Sequence, residues 1–352
     1  MQYNFAFYIH HHGSGHFMRS LALAKQLEGS KVTLMGSGLE RYRHLIPDWI
    51  DWFEIPLDLP EEDENLYRKT KPIGLHYAPL NVQGQRQRVR MMTEFFAKEE
   101  SLILIVDVSV EVAMLATLSG VPYITVRQHG IRNDEPHLIA YANALGLLAP
   151  YGSELHSREE DWLYKKTFFS GGFSRFRKSD ETPSSGRVVS VLIGNGGTSI
   201  DQRLVRHLTS TCPDWHFHII GLLTGEDTRS EHENVTYHGN NYAPEALLKN
   251  STIILGNAGH NTVMEIASLN RHLIVIPEDR PFQEQRIKSR QLAKMGFATE
   301  VDPSMVYEVD WKNLFEELLL KMPNWGGTIS ENALLDTANY LKTKFSELYF
   351  QT

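Results

Sequence analysis

Three stretches of this 352-residue chain share one grammar: a short apolar run, a glycine-containing turn, then a helical pattern. Phe5-Ala6-Phe7-Tyr8-Ile9 leads into His10-His11-His12-Gly13-Ser14-Gly15-His16, and an amphipathic helix follows to Leu27, with Phe17, Leu21, Ala24 and Leu27 near one face. Residues 188–193 lead into Gly194-Asn195-Gly196-Gly197, and residues 253–255 into Gly256-Asn257-Ala258-Gly259. Strand–turn–helix units in series build parallel sheets with helices on both faces.

The remaining pattern agrees. The first half carries strands at 5–9, 31–35, 102–106 and 123–126 and a helix over 110–119; residues 56–87 read as polar and irregular. Residues 171–187, rich in glycine and serine, read as a linker. The pattern then restarts, with strands at 188–193, 216–220, 235–238, 253–255 and 273–276 and helices over 201–208 and 262–269. The expectation is an α/β chain of two doubly wound, Rossmann-like domains, 1–170 and 188–330, facing across a cleft, with a C-terminal helix in 331–352 packing back on the first. Ligands of such sheets sit outside the carboxyl ends of the strands, so the loops that follow strands are where chemistry belongs.

Composition removes several classes. A formal net charge of −8 argues against nucleic acid as the main partner. A single cysteine, Cys212, leaves no internal disulfide and no cysteine-based zinc cluster, and fits a reducing compartment. Neither a secretory leader nor an apolar run of 18 residues is visible, so a cytoplasmic protein is expected. Arg68, Lys69, Lys71, Arg86, Arg88 and Arg90, near Tyr67, Ile73 and Leu75, form a basic cluster suited to peripheral contact with an anionic membrane face, or simply to a solvated surface. Glu347 to Gln351 resemble a processing scar and receive no functional weight.

The triple histidine is not a purification tag, because it sits between a strand and a helix. Consecutive histidines converge poorly on one ion, and no HExxH or cysteine partner accompanies them, so no metal is assigned. Gly13-x-Gly15 lacks the third glycine of a dinucleotide fingerprint, and the second turn lacks the Lys-Ser/Thr of a Walker loop. Gly15, Gly196, Gly197 and Gly259 instead let backbone approach an anion at helix starts. His16 is placed to act as a general base. Glu265, read as near the first helical turn after Gly259, suits two sugar hydroxyls, or merely complements the helix dipole. Gln283 and Gln285 lie in a third loop of amides and acids suited to a polyol. Asp107, Arg127 and His129 follow first-half strands and face the same cleft. Arg127 and Asp107 are acceptor-side candidates, and His129 is a reserve catalytic candidate.

His12-Gly13-Ser14-Gly15-His16 and GNAGHNTVMEIASLNRHLIVIPEDRPFQEQRIKSRQL, residues 256–292, resemble the two signatures of GT-B glycosyltransferases. They are similar above all to the group of the peptidoglycan lipid-intermediate N-acetylglucosaminyltransferase. That resemblance implies a GT-B fold and transfer of a sugar from a nucleotide-diphosphate sugar, UDP-linked by expectation, to a lipid-linked or saccharide hydroxyl in cell-envelope polysaccharide synthesis. It implies inversion, no metal and no cofactor beyond the donor substrate. It places Glu265 on the ribose, Gly259, His260, Asn261 and Thr262 at the diphosphate, Gln283 and Gln285 at the sugar, and His16 at the reacting centre. Two departures stand out: His12 replaces a usual glycine, and His260-Asn261 replace small residues. Gly13 to Arg19 also resemble the start of a nucleotide-sugar hydrolase of the same architecture, and a non-catalytic nucleotide-sugar-binding protein is the third reading. No Asp-x-Asp motif occurs in the chain.

Overall fold

The computed structural model describes residues 2–11, 14–62, 64–156, 161–179, 186–194, 198–223, 232–240 and 243–350. The apolar runs become strands buried on both faces, the signature of parallel sheets covered by helices. The first sheet contains β1 (Asn4–Ile9), β2 (Lys31–Gly36), β3 (Asp51–Glu54), β4 (Ile103–Val106), β5 (Tyr123–Val126), β6 (Gly146–Ala149) and β7 (Thr167–Phe169), ordered β3-β2-β1-β4-β5-β6-β7 and parallel throughout. The second contains β8 (Val188–Leu192), β9 (His216–Ile220), β10 (Val235–Tyr237), β11 (Ile253–Gly256), β12 (His272–Val275) and β13 (Thr299–Glu300), ordered β10-β9-β8-β11-β12-β13, again all parallel.

The helices are α1 (Gly15–Ala24), α2 (Gln83–Phe96), α3 (Val110–Leu118), α4 (Glu135–Asn143), α5 (Asp161–Lys166), α6 (Gln202–Thr211), α7 (Glu245–Asn250), α8 (His260–Leu269), α9 (Glu284–Lys294), α10 (Trp311–Leu319) and α11 (Ala333–Tyr349). Each sheet has an apolar core on both faces. Strand order reverses between β1 and β4 in the first sheet and between β8 and β11 in the second. Those two reversals open the crevices into which loops after strands project.

Several expectations need correction. The first helix ends at Ala24 and tightens into a 3-10 turn over Lys25–Leu27. Residues 83–96, partly read as irregular, form α2, whose buried stripe is Arg88, Met92 and Phe96. An arginine at the head of that stripe hides the helical period. Arg88 is consequently no part of a membrane-facing basic cluster: it is buried, pairs with Asp58 at 2.8 Å and donates to the Tyr8 hydroxyl at 2.8 Å. The segment read as a linker is packed through residue 179: Gly172 bridges to Ile329, Phe176 is buried, and the Ser179 amide donates to Ser268 O at 2.7 Å.

The C-terminal helix α11 returns to the first sheet. Ala338, Leu341 and Phe345 join the core built from Phe5, Phe7, Leu23 and Leu27, and the Tyr349 hydroxyl donates to Leu102 O at 3.0 Å. Phe345 is fully buried and meets the Phe5 ring at 5.6 Å. Phe345→Ala should therefore cost about 3–5 kcal/mol, read as a lowered midpoint in thermal unfolding.

Candidate active site

Both strand-order reversals deliver a helix start to one cleft of ≈ 860 Å³, lined from the first sheet by Gly15, His16 and Arg19 and from the second by Gly259, His260 and Glu265. The two starts touch: Asn261 Nδ2 donates to Gly15 O at 3.3 Å, and a Cβ on Gly15 would press on that amide at 3.3 Å. Neither α1 nor α8 has a side-chain cap, whereas Ser109, Asp134 and Asp201 cap α3, α4 and α6. In α8 the first turn closes with Val263 N donating to Gly259 O, so the amides of His260, Asn261 and Thr262 precede the helical ladder. Unspent amides at the positive end of a helix dipole suit a diphosphate.

Asp107 follows β4 directly and is 1% exposed. Its two oxygens accept from His16 Nδ1 and Arg19 Nη2. Burial alone would raise its pKa. The Arg19 guanidinium and the His16 imidazole overcome that and hold the carboxyl well below the usual carboxylate range. With Nδ1–H committed to Asp107, His16 keeps its lone pair on Nε2, the form of a general base. Asp107 is thus spent on the His16 ring and the Arg19 guanidinium and is absent from the cleft wall. Arg19, one helical turn after His16, was not singled out from sequence, although the i, i+3 spacing puts both on one face.

Glu265 lies in the second turn of α8, not the first, and its carboxylate accepts from Arg175 Nε at 2.7 Å. Burial pushes its pKa up and Arg175 partly offsets this. His260 borders the cleft. Burial and the neighbouring charges of Lys288 and Arg19 hold it well below the ordinary histidine value.

Gln285 does not reach toward a sugar with its carbonyl. That oxygen accepts from Ala258 N at 3.2 Å and Glu278 N at 3.0 Å, clamping the turn before α8. Gln283 is absent from the cleft wall; its neighbours Phe282 and Glu284 line it instead. Glu284 meets Arg132 at 3.4 Å and the buried Lys288 at 3.6 Å, while Lys288 also donates to Ala258 O at 3.2 Å. His129 and Arg127 are buried and absent from the cleft wall. The His129 ring stacks on Tyr151 at 4.0 Å, and Arg127 donates to Thr167 at 3.1 Å. His129 and Arg127 support the floor and touch no ligand space. His12, Gly13, Gly196 and Gly197 lie outside the described residues.

The cleft wall carries Arg19, Lys25, Arg132 and Arg175 against Glu265 and Glu284. A chain with net charge −8 therefore concentrates cations where an anion would bind.

This architecture, two parallel doubly wound sheets with their crevices facing one cleft, is the GT-B fold. Residues 196–321 match the glycosyltransferase family 28 C-terminal domain. No curated protein sequence matches the chain. Among solved structures, the glycotransferase of kitacinnamycin superposes with a TM-score of 0.68 at 16% identity, covering 99% of this chain and 96% of that one. MurG of Acinetobacter baumannii gives 0.61 at 13%, covering 97% and 99%. A UDP-glucosyltransferase from Polygonum tinctorium gives 0.68 at 12%, covering 97% and 99%.

The buried Asp107 makes a pH prediction. Its folded pKa is depressed, so its stabilising contribution is present above the unfolded value of about 3.9 and is lost as pH falls below it. Asp107→Asn should flatten the acid side of the stability–pH curve, measured by chemical denaturation from pH 7 downward.

Proposed function

We propose that this protein transfers a sugar from a nucleoside-diphosphate sugar, with UDP as the carrier, to an acceptor hydroxyl. The observation that supports it most is the His16–Asp107 pair on one lobe, directly across from the uncapped start of α8 on the other. In this reading the nucleotide lies on the second lobe, with Glu265 accepting from the ribose hydroxyls. The amides of His260, Asn261 and Thr262 take the diphosphate, and Asn261 ties that turn to α1.

The acceptor oxygen attacks the anomeric carbon while the bond to the diphosphate breaks. Its proton passes to His16 Nε2, and the electron pair leaves with the diphosphate. Charge building on the leaving group meets helix amides and the cations of the cleft, which are fixed in place before reaction. One base facing a leaving group held by the opposite lobe is the arrangement of a single in-line displacement, which inverts the anomeric centre. The helix dipole and the cleft cations supply the charge stabilisation that a divalent ion supplies elsewhere, which favours a metal-independent reaction. The UDP carrier is favoured by the match to the family 28 domain and by the UDP-glucosyltransferase among the structural neighbours.

His16→Ala should depress turnover by about 10²–10⁴-fold and leave nucleotide affinity intact. Glu265→Ala should do the reverse, weakening UDP binding in titration calorimetry. Unchanged UDP affinity after the Glu265 substitution would remove that residue from the nucleotide site. Thermal shift with UDP, GDP and TDP sugars tests the carrier.

A cytoplasmic location with peripheral membrane contact is a separate proposal. No described helix is long and apolar enough to cross a membrane. Ile73 is 90% exposed and Leu66 70%, and Arg68, Lys69 and Lys71 on the same segment are exposed. Co-sedimentation with vesicles should rise with phosphatidylserine content; indifference to anionic lipid would end the idea.

A further inference from the structure

A second cavity of ≈ 320 Å³ adjoins the main cleft and shares His10, Val108, Gln128, Arg132 and Phe282 with it. The rest of its wall is rich in rings, among them Tyr8, His76, Tyr77, His137 and Tyr141. The His10 ring lies 5.6 Å from that of His16, so the cavity opens beside the base. Its far wall comes from the other lobe. The Phe282 ring stands edge-on to His137 at 4.7 Å, lies 5.2 Å from His76, and has the Arg132 guanidinium 4.8 Å from its centre. The backbone is arranged to put it there. Phe282 adopts a left-handed φ of 59°, and its carbonyl accepts from Ile131 N at 2.8 Å. That approach depends on Gly130, where a Cβ would come within 2.6 Å of the same oxygen.

The charged groups of this wall are already engaged. Asp58 pairs with Arg88 at 2.8 Å. Glu111 accepts from the amides of His76 and Tyr77, at 2.8 and 2.9 Å, and from the Ser109 hydroxyl at 2.8 Å. Arg132 donates to Gln128 at 2.8 Å and to His129 O at 3.1 Å. Burial and the Arg132 charge push His137 down to about 4, so its ring is neutral near pH 7.

A metal is the obvious rival occupant, because His76, Asp134 and His137 hold ligand-type atoms within 4.8 Å of one another. It is disfavoured by His137, whose ring nitrogens are both committed. Nδ1 meets Asp134 at 2.6 Å and Nε2 meets Arg132 at 3.1 Å, which sets a fixed cation beside the place an ion would occupy.

We propose that this cavity receives the acceptor, and that the acceptor is a neutral planar aromatic carrying a hydroxyl group: a phenol of one or two fused rings. The proposal rests on the sugar-transfer reading above. An apolar cavity of about 150 Å³ binds benzene, so twice that volume accommodates two fused rings. Rings in the wall favour stacked or edge-on contact with another ring. A phosphorylated lipid would need a cation not already partnered, and a saccharide would need several uncommitted polar groups. In the transfer the phenolic oxygen forms the bond to the anomeric carbon, the bond to the diphosphate breaks with its electron pair, and the phenolic proton goes to His16.

The test is direct binding to the full chain by titration calorimetry. The acceptor probes are 4-methylumbelliferone, 4-nitrophenol, methyl glucoside and farnesyl phosphate, and UDP is the nucleotide probe. The phenols should bind and the other two should not. Phe282→Ala, and His76→Ala, which lies outside the main cleft, should weaken the phenols roughly tenfold to a hundredfold, the loss expected when an aromatic wall is removed. UDP binding should persist in the His76 variant, showing that it folds; Phe282→Ala, whose ring also lines the main cleft, is read on the phenols alone. If the phenols fail to bind while UDP binds, or if methyl glucoside or farnesyl phosphate binds and is weakened by these substitutions, the acceptor proposal is overturned and the transfer reading stands. If UDP itself fails to bind the wild-type chain, the transfer reading fails with it.

Discussion

A carboxylate sealed from water at the end of a central strand organises this molecule. Asp107 is buried where β4 meets the crevice, and an ion in that position is tolerable only with partners of opposite charge. It finds two, His16 and Arg19, both on the first turns of α1. The pairing fixes the rotation of α1 about its axis, the tautomer of His16 and the placement of Arg19 in the cleft wall. Because α1 also carries the glycine that touches Asn261, the same carboxylate indirectly sets how the first lobe meets the second.

The second lobe answers with a polar clamp. Glu278 accepts from Asn257 Nδ2 at 2.7 Å and from Ser199 N at 2.6 Å, while Gln285 accepts from two backbone amides of the neighbouring turns. These bonds join the loops after β8, β11 and β12 into one block beneath the start of α8. The amides of α8 are thereby held in place while remaining unspent. Phe282 and Glu284 extend that block onto the first lobe, where Gly130 and Arg132 receive them. The cleft is a joint product, with His16 and Arg19 supplied by one lobe and the start of α8 by the other.

Much of this was legible in residue order. Buried strands announce themselves as runs of branched or aromatic apolar residues; β1, β4, β5, β8, β11 and β12 are largely such runs, and β9 keeps the signal in Phe217, Ile219 and Ile220 alongside two histidines. The short or half-polar strands β3, β7 and β13 carry no such signal and are strands only because a neighbour offers a ladder. Helix α2 was obscured because Arg88 occupies a core position that periodicity reserves for apolar residues. His129 and Arg127 follow a strand and look like site residues. Whether a loop side chain points at a ligand or into the floor depends on the neighbouring loop, here Tyr151 and Thr167.

The amino-acid sequence by itself determined two parallel-sheet lobes, the glycine turns at their crevices, and His16 and Asn261 as residues placed at helix starts, with Glu265 further along α8 than its residue order suggested. Those follow from local periodicity and turn chemistry, which act over a few residues. Only the tertiary structure decided that Asp107 serves His16, that Gln285 serves the backbone, and that Phe282 of one lobe walls a cavity in the other. Those outcomes join residues separated by 91, 27 and well over a hundred positions. Contacts at that range are set by which buried charges and amides find a partner once the sheets have packed, and no local pattern records the choice.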